Sequence, residues 1–193
     1  MMKGKISAAI PKPADATLLG LDKPIALVGL MGSGKSVIGR RLAKQLQLKF
    51  ADSDQLVTKM AGVSIAHIFD LAGEAKFRDM EFRAIQKQLQ KPPHVLATGG
   101  GAFCQPQTAA LLRNHALVVW MQASPETLLK RIGDVSSRPL LQTASPLKIL
   151  QQLSATREPF YSKAHLHLNT DGLTMTKAVA ALVSALDSYL AKQ

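Results

Sequence analysis

Residues 29–36 read Gly-Leu-Met-Gly-Ser-Gly-Lys-Ser. Glycine at 29, 32 and 34 lets the backbone curl so that successive N–H groups point at one centre. A lysine and a hydroxyl follow at once. Aimed at that centre, Lys35 reaches the β- and γ-phosphates of a bound nucleotide and Ser36 offers a hard oxygen to Mg²⁺. The segment follows the apolar run 25–29 and opens a helical pattern with Ile38, Leu42 and Leu46 on one stripe. Strand, loop and helix in that order are the context a phosphate-binding loop requires, because the helix N-terminus adds its partial positive charge. With glycine near 7% of average composition, a chance match in a chain this long is on the order of one per cent. Gly29, Gly32, Ser33, Gly34, Lys35 and Ser36 are therefore expected to hold a nucleoside triphosphate; the motif specifies the donor and leaves the acceptor open.

The remaining chemistry-bearing residues fall into two groups. In Phe-Ala-Asp-Ser-Asp, residues 50–54, two carboxylates stand two residues apart. Many phosphate-loop proteins end a later strand with an aspartate beside the metal, but here the run 94–97 leads into Thr98, Gly99, Gly100 and Gly101. A metal-side carboxylate must come from elsewhere. Asp52 ends its own candidate strand, and the carboxyl ends of parallel strands share one crevice, so it is expected beside Ser36. The alternative for Asp52 is a turn acid. Further on, Arg78 and Glu81 lie one helical turn apart, close enough for the acid to orient the guanidinium; alone, such a pair is ordinary surface decoration.

The elements that position these residues follow from the apolar pattern. Short runs at 25–29, 49–52, 94–97, 117–121 and 165–168 alternate with helical segments, including a stripe of Met175, Val179, Leu182, Leu186 and Leu190. That alternation predicts an α/β fold, a parallel sheet covered by helices on both faces. The chain of 193 residues, 47% hydrophobic, supports one domain, expected over 24–193. Residues 1–23 carry lysines and prolines without periodicity and read as an unstructured extension. Residues 133–145, rich in Gly, Ser and Pro, have the character of a lid. No apolar stretch approaches the roughly 18 residues of a membrane span. The single cysteine, Cys104, excludes an internal disulfide framework and suits a reducing cytoplasm, with the thiol expected as a small buried group. A net charge of +11 invites nucleic acid, yet no RNP-type aromatic motif or zinc spacing accompanies it, and anionic small substrates call for the same field. His67, His94, His115, His165 and His167 show no metal spacing, and Trp120, Phe69 and Phe77 read as core, with lining of an acceptor pocket the alternative for Phe69 and Phe77.

Taken together, GLMGSGKSVIGRRLA, FADSD, GVSIAHIF, GEAKFRDME, VLATGGGAF, SRPLL and LSATREPFYSKA, in this order and spacing, resemble the shikimate kinases over nearly the whole chain after the extension. The resemblance implies a nucleoside-monophosphate-kinase-like, three-layer αβα fold. Its parts are a five-stranded parallel sheet, a substrate-binding helical region over about 54–92 and a mobile lid. It implies in-line transfer from MgATP to the 3-hydroxyl of shikimate. On that resemblance Asp54 holds and helps deprotonate the acceptor hydroxyl, and Asp52 reaches Mg²⁺ through water. Arg78 and Arg157 clamp the acceptor carboxylate, a task suited to the planar guanidinium fork. Gly99, Gly100 and Gly101 approach the substrate with bare backbone, and Glu81 supports Arg78 from behind. Arg131 lies against adenine and Arg138, in the lid, covers the transferring phosphoryl group.

Two departures accompany the resemblance: Thr58 stands where many members carry an acid, and the stretch before Ile25 is longer than the family needs. Neither falls on the catalytic set. Kinases acting on gluconate or a nucleoside monophosphate share the loop and lid and differ on the acceptor side, where FRDME and the triple glycine favour shikimate. A phosphate-loop nucleic-acid-binding protein is the reading from another class. ATP and shikimate are the expected partners, Mg²⁺ the expected cofactor, and a monomer the expected state, without nucleic acid or membrane.

Overall fold

Every residue of the first strand, β1 (Ile25–Val28), is buried, and its side chains alternate between two separate cores. Ile25 and Leu27 point to one face of the sheet while Ala26 and Val28 point to the other, as the two-residue period of a strand dictates. Both faces must then be covered, and in this computed structural model they are. The structure describes residues 20–135, 139–142 and 144–192. Within them β1 is followed by α1 (Lys35–Gln45), β2 (Lys49–Asp52), α2 (Ser53–Ala61), α3 (Ile65–Leu89), β3 (His94–Ala97), α4 (Pro106–His115), β4 (Leu117–Gln122), α5 (Pro125–Ile132), α6 (Pro146–Tyr161), β5 (Leu166–Asn169) and α7 (Met175–Leu190).

All strand pairings are parallel, in the order β2-β3-β1-β4-β5, with β1 central between Val95–Ala97 of β3 and Leu117 to Trp120 of β4. On one face α1 and α7 lay Ile38, Leu42, Val179, Leu182 and Leu186 against Ile25, Leu27, Val95 and Val119. On the other, α3 to α6 supply Ile85, Leu112, Leu128, Leu150 and Tyr161 over Ala26, Val28, Leu96 and Val118. A third, smaller core of Val57, Ile68, Phe77 and Ala84 holds α2 to α3, which run at 91° to each other. These two helices are the excursion between β2 and β3 that the family resemblance implies. Within α3, Gly73 (φ 74°, ψ 175°) breaks the helical path, so that Phe77, Arg78 and Glu81 start afresh on the longer arm.

Several expectations shift in detail. β1 stops at Val28, because Gly29 turns to φ 135°. β5 begins one residue later than the apolar run, at Leu166; at His165 it is the ring Nδ1 that accepts the Val118 N–H, at 3.0 Å. Trp120 is only partly buried and lines a cavity, and Phe69 is 38% exposed although it packs on Phe77. Cys104 is half-buried rather than enclosed. Of the stretch read as an extension, residues 20–23 are described, and Leu21 packs on the first core. Of the lid stretch, Pro139–Leu141 forms a 3-10 turn whose Leu141 is wholly buried in the second core. Arg138 lies outside the described residues. Among those described, no single helix is long and apolar enough to cross a membrane.

Because Leu182 is wholly buried between α7 and the sheet, Leu182→Ala leaves a cavity there. It is expected to cost about 2–5 kcal/mol of folding stability, read as a lower denaturant midpoint at unchanged slope.

Candidate active site

The loop between β1 and α1 closes on its own lysine. Lys35 Nζ donates to the carbonyls of Gly29 and Leu30, each at 2.8 Å, and the residue is 9% exposed. A side chain on Gly29 would meet the Met121 carbonyl at 2.6 Å, and its φ of 135° is one that other residues rarely adopt. Gly34 (φ 91°) is the N-cap of α1 and carries no capping side chain. The first N–H groups of α1 therefore have no side-chain cap, which is the condition for receiving an anion.

Asp52 joins this loop to the next element. Its Oδ2 accepts from Ser36 Oγ at 2.7 Å, and its Oδ1 accepts from the Asp54 N–H at 3.1 Å as the N-cap of α2. One carboxylate thus ties the start of α1 to the start of α2, and a hydroxyl and a carboxylate converge beside the loop as the sequence predicts. Both are hard oxygen donors of the kind Mg²⁺ takes, and Mg²⁺ needs few protein ligands because it keeps waters and substrate phosphates. Among the described residues no cluster of three His, Cys, Asp or Glu groups competes as a metal site.

Across the crevice, β3 runs into Thr98, whose hydroxyl donates back to the Leu27 carbonyl at 3.1 Å. The three glycines that follow are enclosed by charged side chains. A methyl on Gly99 would lie 2.7 Å from Asp54 Oδ1 and overlap Glu81 Oε1, and one on Gly101 would overlap the Arg78 guanidinium. Gly99 N–H donates to the buried Ser53 hydroxyl at 2.8 Å, and the Gly100 carbonyl accepts from Arg157 Nη1 at 3.0 Å and from the Tyr161 hydroxyl. The same Gly100 Cβ position is 3.5 Å from the Met31 N and 3.6 Å from the Gly29 carbonyl, so the glycine turn abuts the phosphate-type loop.

Behind this turn, Arg78 Nη1 donates to Glu81 Oε2 at 2.6 Å and its other nitrogens reach Glu74 at 3.1 and 3.2 Å. Glu81 is 1% exposed. Burial raises its carboxyl above the ordinary range; Arg78 and the Ser53 hydroxyl pull it back, while the charge of Asp54 adds to the rise. Its Oε1 makes no hydrogen bond of good geometry, and the nearby Ser53 hydroxyl accepts from the Gly99 N–H. Burial works against Arg78, yet Glu81 and Glu74 together hold the guanidinium more firmly protonated than usual.

The predicted residues therefore fall into three places. Ser36, Asp52, Lys35 and the glycine loop form one; Asp54, Arg78, Glu81, Arg157 and Gly99 to Gly101 form a second, contiguous with it. Arg131 stands apart, on α5, donating to the Thr170 hydroxyl at 2.9 Å and the Thr170 carbonyl at 2.7 Å after β5. A cavity of about 270 Å³ also borders the loop, lined by Leu30, Ser33, Trp120, Gln122, Glu158 and Tyr161 among others, and none of the acceptor-side residues line it. Ser53 and Tyr161 were not singled out from the sequence. The signal for Tyr161 lies in its standing four residues after Arg157, on the same helix face; Ser53 had none beyond its place between two aspartates.

A parallel sheet with a glycine loop after its central strand, an anion-ready helix start, and acid and guanidinium groups ringing the adjacent strand end define a P-loop phosphotransferase acting on small molecules. The comparisons narrow this. A family model described as shikimate kinase matches residues 31–187. The shikimate kinases of Caulobacter vibrioides and Novosphingobium aromaticivorans are 47% and 38% identical over 164 and 174 residues. These alignments cover 85% and 88% of this chain and 82% and 90% of theirs. The structure of the Acinetobacter baumannii shikimate kinase in complex with shikimate superposes with a TM-score of 0.84 at 32% identity, covering 90% of this chain and 97% of that one. The chain belongs to the shikimate kinase family, and it is an ATP-dependent kinase.

Since Glu81 titrates above its ordinary 4.5 in the fold, the stability it contributes is present at low pH and is lost as pH rises through the raised value. Arg78→Ala removes the main opposing pull and leaves a buried charge, so it is expected to cost up to about 3 kcal/mol at neutral pH. Part of that loss returns as the pH falls toward 4.5 and Glu81 takes up a proton. Denaturant unfolding of both proteins across pH 4.5 to 8 checks this; a difference independent of pH contradicts it.

Proposed function

We propose that this protein transfers the γ-phosphate of ATP to the 3-hydroxyl of shikimate, giving shikimate 3-phosphate and ADP. The observation that carries the reading is the triple glycine, whose turn is ringed by Asp54, Glu81, Arg78 and Arg157 and abuts the loop that holds Lys35. A ring acid set on bare glycine backbone, its carboxylate between two guanidinium groups, brings an alcohol close to Asp54 and to the phosphate loop together.

In this reading Arg78 and Arg157 bind the acceptor carboxylate, with Glu81 fixing Arg78. Gly99, Gly100 and Gly101 leave room for the ring. Asp54 holds the 3-hydroxyl and accepts its proton as the oxygen attacks. Lys35 and the backbone N–H groups of Gly32, Ser33 and Gly34 neutralise the phosphates, work done by position and charge rather than by a covalent intermediate. Ser36 and, through water, Asp52 would hold Mg²⁺, which when bound neutralises charge on the β- and γ-phosphates. Arg131 flanks adenine. Arg138, on family resemblance alone, covers the transferring group. Residues 54–92 serve as the acceptor-binding region of a single domain.

An ADP-release assay with shikimate, gluconate and a mononucleotide as acceptors tests the reading. Release is expected with shikimate; release that ignores the acceptor, or answers only another one, contradicts it. Lys35→Ala and Asp54→Asn are each expected to lower turnover on the order of 10²- to 10³-fold, the scale of losing a charge-stabilising group. Wild-type-like rates in either variant refute that assignment. Arg78→Ala is expected to raise the shikimate KM roughly 10- to 100-fold through loss of a bidentate contact, and an unchanged KM places the carboxylate elsewhere.

A further inference from the structure

Gly100 offers one carbonyl to two donors from the same turn of α6. Arg157 Nη1 donates to it at 3.0 Å, and the Tyr161 hydroxyl donates to the same oxygen. Both lone pairs of that oxygen are then engaged. Tyr161 is 2% exposed. Its ring packs on Trp120 with centroids 5.7 Å apart, and Trp120 is in turn held edge-on by His167 at 5.2 Å. The hydroxyl is thus anchored from β4 and β5, through side chains outside the acceptor-side cluster. Burial, with the neighbouring Cys104 adding to it and Arg157 opposing, raises the phenol far above its ordinary value, so it remains a donor throughout the neutral range.

We propose that Tyr161 is a positioning residue for the acceptor: by holding the Gly100 carbonyl it fixes the angle at which Arg157 presents its remaining N–H groups. The inference rests on the reading that Arg157 binds the acceptor carboxylate, and it names what sets that geometry. A guanidinium is a rigid planar fork. With one N–H tied to Gly100, the direction of the others follows the tilt of that peptide, and the tilt depends on Tyr161. A phenylalanine keeps the ring against Trp120 and nearly the whole volume, while leaving the carbonyl, among the described residues, with Arg157 as its remaining side-chain donor. Arg157 is then free to follow the peptide.

Steady-state kinetics of the full chain test this with three proteins. In Tyr161→Phe the shikimate KM is expected to rise roughly tenfold, the scale of one hydrogen bond to a charged network, while kcat and the ATP KM stay within about twofold of wild type. Introducing the same change into Arg157→Lys is expected to add little, because the group through which Tyr161 acts is already displaced. Uniform replacement of tyrosine by 3-fluorotyrosine touches only Tyr161 and Tyr189. It keeps ring and donor, and is expected to keep the wild-type shikimate KM even if Tyr161→Phe folds poorly. An unchanged shikimate KM in Tyr161→Phe, an equal rise for ATP, additive losses with Arg157→Lys, or a tenfold rise with fluorotyrosine each overturns the role of Tyr161. Failure of the unmodified enzyme to turn over shikimate overturns the acceptor reading, and this inference with it, and is established before any variant is compared.

Discussion

Much of this molecule is arranged around one ion pair that cannot stand by itself. Glu81 lies on the inner side of α3 at 1% exposure, with Arg78 at 2.6 Å as its counter-ion. Withdrawing both charges from water costs several kcal/mol per ion, and their attraction roughly offsets that cost. Net stability is therefore a poor reason for the pair. What the pair provides is direction: the guanidinium is held against Gly101 so closely that no side chain fits there. The second Glu81 oxygen lacks a hydrogen bond and faces Gly99 and Asp54. An unsatisfied buried carboxylate oxygen beside a second acid is the kind of local cost that folds tolerate where chemistry needs it.

The neighbouring elements make that cost bearable. The parallel sheet brings the ends of β1, β2 and β3 to one crevice, with β3 between the other two. Asp52 then bridges α1 and α2 through Ser36 and the Asp54 N–H, and Ser53 anchors Gly99. Two of these bonds are to backbone N–H groups and the third joins two side chains, all of them made by short side chains with little conformational entropy to lose. The excursion of α2 and α3 has its own small core, Val57, Ile68, Phe77 and Ala84. The break at Gly73 lets the arm carrying Arg78 set its own direction. The chain's charge of +11 fits two anionic substrates, since a basic field raises their local concentration without specifying either.

Much of this was legible in the sequence because it is local. The glycine loop, its lysine and its serine are consecutive, and the i,i+3 spacing of Arg78 and Glu81 fixes their contact once the helix is granted. Asp52 was placed beside Ser36 by the topology of parallel strands alone. What was hidden is non-local. Glu81, with Arg78, reads as surface decoration by spacing alone, until Ser53, Asp54 and the Gly99 turn are brought against it. Tyr161 does not stand out in the sequence, and its hydroxyl gains meaning only when α6 folds back 61 residues onto Gly100. The His165 ring accepting the Val118 N–H depends on the register of β4 with β5, which no short-range pattern specifies.

In the proposed reading Arg78, held by Glu81, and Arg157, held by Gly100, grip a ring acid so that its alcohol faces the phosphate loop beside Asp54. A crystal structure with shikimate and MgADP tests it most directly. The carboxylate is expected between Arg78 and Arg157, with the 3-hydroxyl within hydrogen-bonding distance of Asp54. A ring bound with its carboxylate away from both arginines, or its 3-hydroxyl turned from Asp54, would contradict it.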